Sequence, residues 1–180
     1  HFDKWLLANY TYPYNVDFKY KMEDIYTDMK YHLIPADSAK STKLAIIAKF
    51  LWFDAYAECV GADFVKANVP RIIHLIGSPA YNSGQGTMVL GTAEGGLVIN
   101  LYMVNQLTDQ MLTDYATVNE LYFHTMHHEF THILTQLRDY STDFRTVSAG
   151  KYTSTGWVNV EDSKSAKMGF VTGYASSEYN

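Results

Sequence analysis

Along this chain, stretches of period two give way to stretches of helical period, and the switches between them set the expected elements. In YNVDFKYK (Tyr14–Lys21), Val16, Phe18 and Tyr20 alternate with polar residues, the spacing of a half-buried strand. Pro35 then precedes a long helical pattern, with Asp37 or Ser38 as its N-cap. Leu44, Ile47, Ala48, Leu51, Trp52, Ala55 and Cys59 fall on one face, and Gly61 is placed to end the helix. RIIHLIG (Arg71–Gly77) reads as a buried strand. TMVLG and GGLVINLYMV follow, separated by a Gly-rich turn, which predicts a hairpin or adjacent strands of one sheet. A second long helix is expected from Thr117, where Thr117-Val118-Asn119-Glu120 fits a capping box. Its core stripe is Val118, Leu121, Tyr122, Ile133 and Leu137. STDFRTVSAGKYTSTGW is loop-like, and EDSKSAKMGF fits a last short helix. With no internal repeat and no linker, the pattern predicts an α+β fold in one domain over residues 1–180, with a small mixed sheet and two long helices.

Composition narrows the function classes. The 180 residues suffice for a self-supporting core. A formal charge of −5 and no Lys/Arg stripe argue against a nucleic-acid footprint. Cys59 is the single cysteine, so a disulfide framework and a Cys-rich metal site are both excluded. Its apolar helical setting predicts a buried, inert thiol. Fifteen tyrosines offer large, partly polar surfaces, although each taken alone is first a core residue with its hydroxyl at the surface. No apolar run reaches the length of a membrane span. The first residue, His1, is not Met, which reads as a processed or trimmed form.

The chemistry concentrates in FHTMHHEFTHIL (Phe123–Leu134), where His128-Glu129-x-x-His132 forms an HExxH pattern. Residues four apart on a helix share a face, about 6 Å apart along the axis. Two imidazoles there can converge on one Zn²⁺ at roughly 2.0–2.1 Å each. Glu129, beside the first ligand, can take the proton of a zinc-bound water as that water attacks a carbonyl. His124 shares the stripe but lies about 12 Å from His132 along the axis, too far for a common ion. His127 points to another side, and His74 reads as a satisfied core or edge histidine. A catalytic zinc needs a third protein ligand. No third histidine follows at the HExxHxxGxxH spacing, so the remaining route is an acid from a later element. Asp139, Asp143, Glu161, Asp162 and Glu178 are available. Asp139 is too far along the same helix, and Glu178 is the best of those present.

TMHHEFTHIL, preceded by YPYNVDFKY and LIGSPAYNSGQGTMVLGTAEGGLVINLYMVN and followed by GFVTGYASS, resembles the zinc-binding metallopeptidase lipoproteins associated with substrate import in glycan-foraging Gram-negative bacteria. The resemblance runs from about Trp5 to Asn180 and is strongest at the HExxH helix and Gly91–Gly96. It implies a zincin-like fold of gluzincin type, in which two His and a downstream Glu hold zinc. His128 and His132 would then be ligands and Glu129 the general base. Tyr174 in GYASSEYN would be the oxyanion stabiliser, with a packing role as its alternative. The family continues into an acidic helix, so the resemblance places the third ligand beyond Asn180, with Glu178 as a weaker substitute. It further implies a lipid anchor on a cysteine upstream of His1, an extracytoplasmic place at the outer membrane, and a peptide or protein substrate. Outer-membrane import components would be further partners. GGLVINLYMV could be a cleft edge for an extended peptide, or an internal strand. Two other readings stay open at this point: a non-catalytic accessory module for import with a structural or decayed metal site, and an amidase or deacetylase using the same chemistry.

Overall fold

The computed structural model describes residues 1–22, 33–82, 87–89, 91–94 and 97–177. The chain divides into two compact units, His1–Gln136 and Leu137–Asn180.

The first unit opens with α1 (Phe2–Leu6), a π-helical turn (Leu7–Thr11) and α2 (Tyr12–Tyr14). Asn15, at φ 56°, turns the chain out of the helix in a left-handed conformation that asparagine tolerates. β1 (Asp17–Lys19) follows. The alternation expected over Tyr14–Lys21 holds where the strand forms: Val16 and Phe18 are buried and Asp17 is exposed. The ladder is shorter than the pattern because the helix claims Tyr14.

The first long helix runs through α3 (Ser38–Ala48), a π-helical turn (Lys49–Asp54) and α4 (Ala55–Val60). Asp37 is its N-cap, accepting the Lys40 N–H at 2.9 Å. Gly61, at φ 97°, ends it where expected and leads into α5 (Ala62–Asn68). The expected stripe fails in its second half. Leu44, Ala48 and Trp52 are buried, but Leu51 is 52% exposed and Ala55 and Cys59 are also exposed. The i→i+5 bonds of the π-helical turn change the angular phase of the helix, so Phe53 joins Trp52 in the core. The buried thiol expected from helical spacing is therefore an exposed one.

The sheet strands are β2 (Ile72–Leu75), β3 (Ala80–Asn82), β4 (Thr87–Val89), β5 (Gly91–Glu94) and β6 (Val98–Leu101). One sheet has the order β1-β2-β6-β5, parallel across β1, β2 and β6 and antiparallel at β5. β3 and β4 form a separate antiparallel pair. The expected pairing of TMVLG with GGLVINLYMV is thus corrected. Thr87–Val89 pairs back onto Ala80–Asn82, and Gly91–Glu94 pairs with Val98–Leu101. Gly, Ala and Glu have low strand preference, so β5 is set by its partner rather than by local pattern. The Gly-rich turn at 95–96 lies outside the described residues.

Phe18, Ile73, Leu75, Ile99 and Leu101 join Tyr10, Trp52, Phe53, Met126 and Phe130 in one core. On the alternate register, His74 Nδ1 and Asn100 Oδ1 are 3.2 Å apart, and Asn100 Nδ2 donates to Thr92 Oγ1 at 3.1 Å. His74 is buried in the core as expected, and the contact shown for its ring is the one from Nδ1 to Asn100. After α6 (Asp109–Thr113), the second long helix runs through α7 (Tyr115–Val118), a π-helical turn (Asn119–Phe123) and α8 (His124–Leu137). Among the described residues, no helix is long and apolar enough to cross a membrane.

The second unit carries α9 (Phe144–Val147), a 3₁₀ segment (Ser154–Asn159), α10 (Asp162–Met168) and a 3₁₀ turn (Tyr174–Ser176). α10 is the short helix expected in EDSKSAKMGF, ended by Gly169 in the left-handed region at φ 96°. Hydrogen bonds tie this unit internally: Gly173 N donates to Asp162 Oδ1 at 2.7 Å, and Thr153 N to the Ser176 carbonyl at 2.8 Å. The fold class is α+β, with the small mixed sheet and the two long helices that the pattern predicted.

Candidate metal centre

The helix that bears the HExxH pattern starts earlier than the expected capping box. Asp114 is the N-cap, accepting the Ala116 N–H at 3.2 Å and the Thr117 hydroxyl at 2.5 Å. Thr117 lies inside the first turn and donates to the cap instead of being the cap. Its hydroxyl is the main cause holding the Asp114 carboxyl below the usual carboxylate range, with the backbone N–H groups of Ala116 and Thr117 adding to it.

Val118, Tyr122, Phe123, Met126, Phe130 and Ile133 are buried on the inner side of this helix. Leu137, expected in that stripe, is 66% exposed at the helix end. β5 lies close against α8. A Cβ on Gly91 would stand 2.3 Å from Thr125 Cγ2 and 3.0 Å from the Asn100 carbonyl oxygen, so only glycine allows this approach. Thr125 is one turn ahead of His128 and Glu129, which puts an edge strand of the sheet beside the turn that carries them. β6, by contrast, has β2 on one side and β5 on the other. Within GGLVINLYMV, Val98–Leu101 is therefore an internal strand and not a cleft edge.

His128 and His132 come together as the spacing requires. Their Nε2 atoms are 3.1 Å apart, with ring centroids at 4.7 Å and ring planes at 89°. Two nitrogens bound to a tetrahedral zinc at 2.0–2.1 Å stand about 3.3 Å apart. The separation of the two nitrogens is thus within a few tenths of an ångström of the span that a shared divalent cation would need. Burial, followed by the charges of His132 and His124, pushes the His128 imidazole below the ordinary histidine value. That favours the neutral ring that a metal ligand must be. Glu129 is half-buried beside His128.

The remaining histidines separate as expected. His124 is exposed. His127 is half-buried, with Nδ1 hydrogen-bonded to the Tyr56 hydroxyl at 3.2 Å and its ring against Tyr56 and Phe123. Tyr56 was not foreseen, because no local motif marks a residue whose partner is 71 positions away.

The third ligand is not found among the described residues: no group of three His, Cys, Asp or Glu side chains there could hold a metal ion. Glu178 lies outside them. Of the other acids weighed, Asp139 accepts from Arg145 Nη2 at 3.1 Å and Asp162 accepts from Gly173 N. Tyr174 belongs to the second unit, 48% exposed, with its ring edge-on to Trp157 at 4.9 Å.

A sequence profile described as "Putative zinc-binding metallo-peptidase" matches residues 1–180. A crystal structure at 2.10 Å resolution, described as a putative zinc-binding metallo-peptidase from Bacteroides caccae ATCC 43185, superposes with a TM-score of 0.79 at 51% sequence identity. The match covers 98% of this chain and 66% of that one, so the chain spans just under two thirds of that protein's length. No curated protein matches the chain.

Proposed function

Since the chain belongs to the family described as putative zinc-binding metallo-peptidases, we propose that it is a zinc-dependent hydrolase of peptide bonds. In this reading His128 and His132 are zinc ligands and Glu129 is the general base. The observation that carries it is the 3.1 Å separation of the two Nε2 atoms, close to the span across a tetrahedral zinc. Bound zinc would act as a Lewis acid and bring a water's pKa toward neutrality. The chain's own residues do the rest. Thr125, Met126, Phe130 and Ile133 are buried and fix the helix against the sheet and core. The half-buried Glu129 carboxylate accepts a proton at Oε and hands it on to the leaving amine. β5, as an edge strand beside α8, offers backbone groups to an extended peptide. The third ligand is assigned to a carboxylate outside the described residues, Glu178 or another.

Metal content and cleavage of a broad peptide library test this directly, comparing wild type with Glu129→Gln. The expected result is one zinc per chain in both proteins, and cleavage lower by about 10²–10⁴-fold in the variant. Stoichiometric zinc with no cleavage by wild type would support the accessory-module reading, with a structural metal. By the same family resemblance, the protein is assigned to a lipid-anchored place at the outer membrane. Labelling with radioactive palmitate in the native host, followed by membrane fractionation, checks that assignment; an unlabelled, freely soluble protein contradicts it.

A further inference from the structure

We propose that Tyr56 is a positioning residue for the His128–Glu129–His132 group, acting through His127 and Phe130; the proposal rests on the zinc-hydrolase reading above. Tyr56, on α4, is half-buried and touches α8 at two points. Its hydroxyl is 3.2 Å from His127 Nδ1, and its ring meets the Phe130 ring edge-on at 5.2 Å and 85°. His127 and Phe130 are three residues apart, so they share one side of α8. They also bracket His128 and Glu129 in the chain. Trp52, four residues before Tyr56, meets the same Phe130 ring edge-on at 5.7 Å and 75°. The first long helix therefore grips α8 at the positions flanking the candidate ligand and base.

What such a grip controls is the roll of α8 about its axis. His128 and His132 ride on one rigid helix, so a roll leaves their mutual distance nearly unchanged. It changes instead where both rings and the Glu129 carboxylate point relative to β5 and the remaining ligand. A side-chain tip about 6 Å from the axis moves about 1 Å for a roll of about 10°. Functional groups need placement to about 0.5 Å, so a small roll is enough to matter. The hydroxyl bond and the ring contact act as two stops against that motion, and they can be removed separately.

The test uses the intact protein with Tyr56→Phe, which keeps the ring, and Tyr56→Leu, which removes both contacts. Zinc affinity is measured by competition with a chromophoric chelator, and the ligand field by visible absorption of the cobalt(II)-substituted protein. Metal-free ¹H–¹⁵N spectra of the histidine rings give a readout that needs no ion. Zinc affinity is expected to fall about three- to tenfold in Tyr56→Leu, less than the 10–100-fold typical of a group bonded directly to a ligand. Tyr56→Phe should fall in between, and the cobalt bands should move in the same order. The His128 and His132 ring signals of both metal-free variants should shift with His127. Wild-type affinity, wild-type cobalt bands and ring shifts confined to His127, with only a lower melting temperature, would overturn the proposal and leave Tyr56 as core packing. If wild type itself takes up neither zinc nor cobalt, the hydrolase reading fails separately. The ring spectra then decide Tyr56: shifts at His128 and His132 support positioning, and shifts at His127 alone reject it.

Discussion

Asp37 and Asp114 each cap a long helix, and a π-helical turn interrupts each of them, Lys49–Asp54 in one and Asn119–Phe123 in the other. Both helices bury aromatic residues in the same core: Trp52 and Phe53 from the first, Tyr122, Phe123 and Phe130 from the second. They differ in where the π-helical turn falls relative to the residues that matter. In the first helix it lies inside the apolar stripe, so the stripe changes phase and leaves Leu51, Ala55 and Cys59 exposed. In the second it precedes the histidines, and His124–Leu137 is regular α-helix throughout. An argument from i, i+4 spacing holds only across uninterrupted α geometry. That is why the spacing brings His128 and His132 side by side but misplaces Cys59.

The largest effect that sharpens this contrast is packing. Phe130 is 1% exposed between Trp52 and Tyr56, and Phe50 is 66% exposed on the first helix. Phe130→Ala is expected to cost about 3–5 kcal/mol in chemical denaturation. Phe50→Ala should stay within about 0.5 kcal/mol. Equal costs would mean that the first helix buries the face assigned to solvent.

Two buried phenols give the next test. The Tyr10 hydroxyl donates to the Ala45 carbonyl at 2.6 Å, anchoring the N-terminal helix to the first long helix. The Tyr122 hydroxyl, on the second, is buried with no hydrogen-bond partner among the described residues, and burial drives its pKa far upward. Tyr10→Phe should cost about 1 kcal/mol or somewhat more. Tyr122→Phe should be neutral or stabilising, because it removes a group that already lost its bonds to water. A clear loss of stability in Tyr122→Phe would show that its hydroxyl has a partner.

The smallest effect concerns the cap of the second helix. A carboxyl whose folded pKa is depressed stabilises the fold at pH above its unfolded value of about 3.9. That contribution is lost as pH falls through the lower folded value. For Asp114 this means a first turn that loosens only in acid, below about pH 4. An NMR titration of the Asp114 carboxyl, with the Ala116 amide as a second probe, should give a midpoint below the ordinary value. A midpoint at or above it would contradict the Thr117 bond.

These results mark how far the sequence alone could reach. The N-cap at Asp37, the stop at Gly61, the buried strand around His74 and the pairing of His128 with His132 each depend on a few neighbouring residues. All were legible from sequence. β5 was missed because Gly91–Glu94 has no strand signature of its own and is held by β6. The helix start was misplaced because Asp114 and Thr117 form a cap in the reverse sense to the expected box. Tyr56 depends on tertiary contact, which no local pattern encodes. The candidate metal group was legible only as far as one helix carries it, since a ligand supplied from elsewhere in the fold would have no fixed spacing to the HExxH run.

X-ray absorption at the zinc edge of the intact protein, compared with His128→Ala and His132→Ala, tests the shared cation most directly. Two imidazole nitrogens are expected at about 2.0–2.1 Å in wild type, with one fewer in each variant. A zinc shell with no histidine, or one unchanged by both substitutions, would contradict the site.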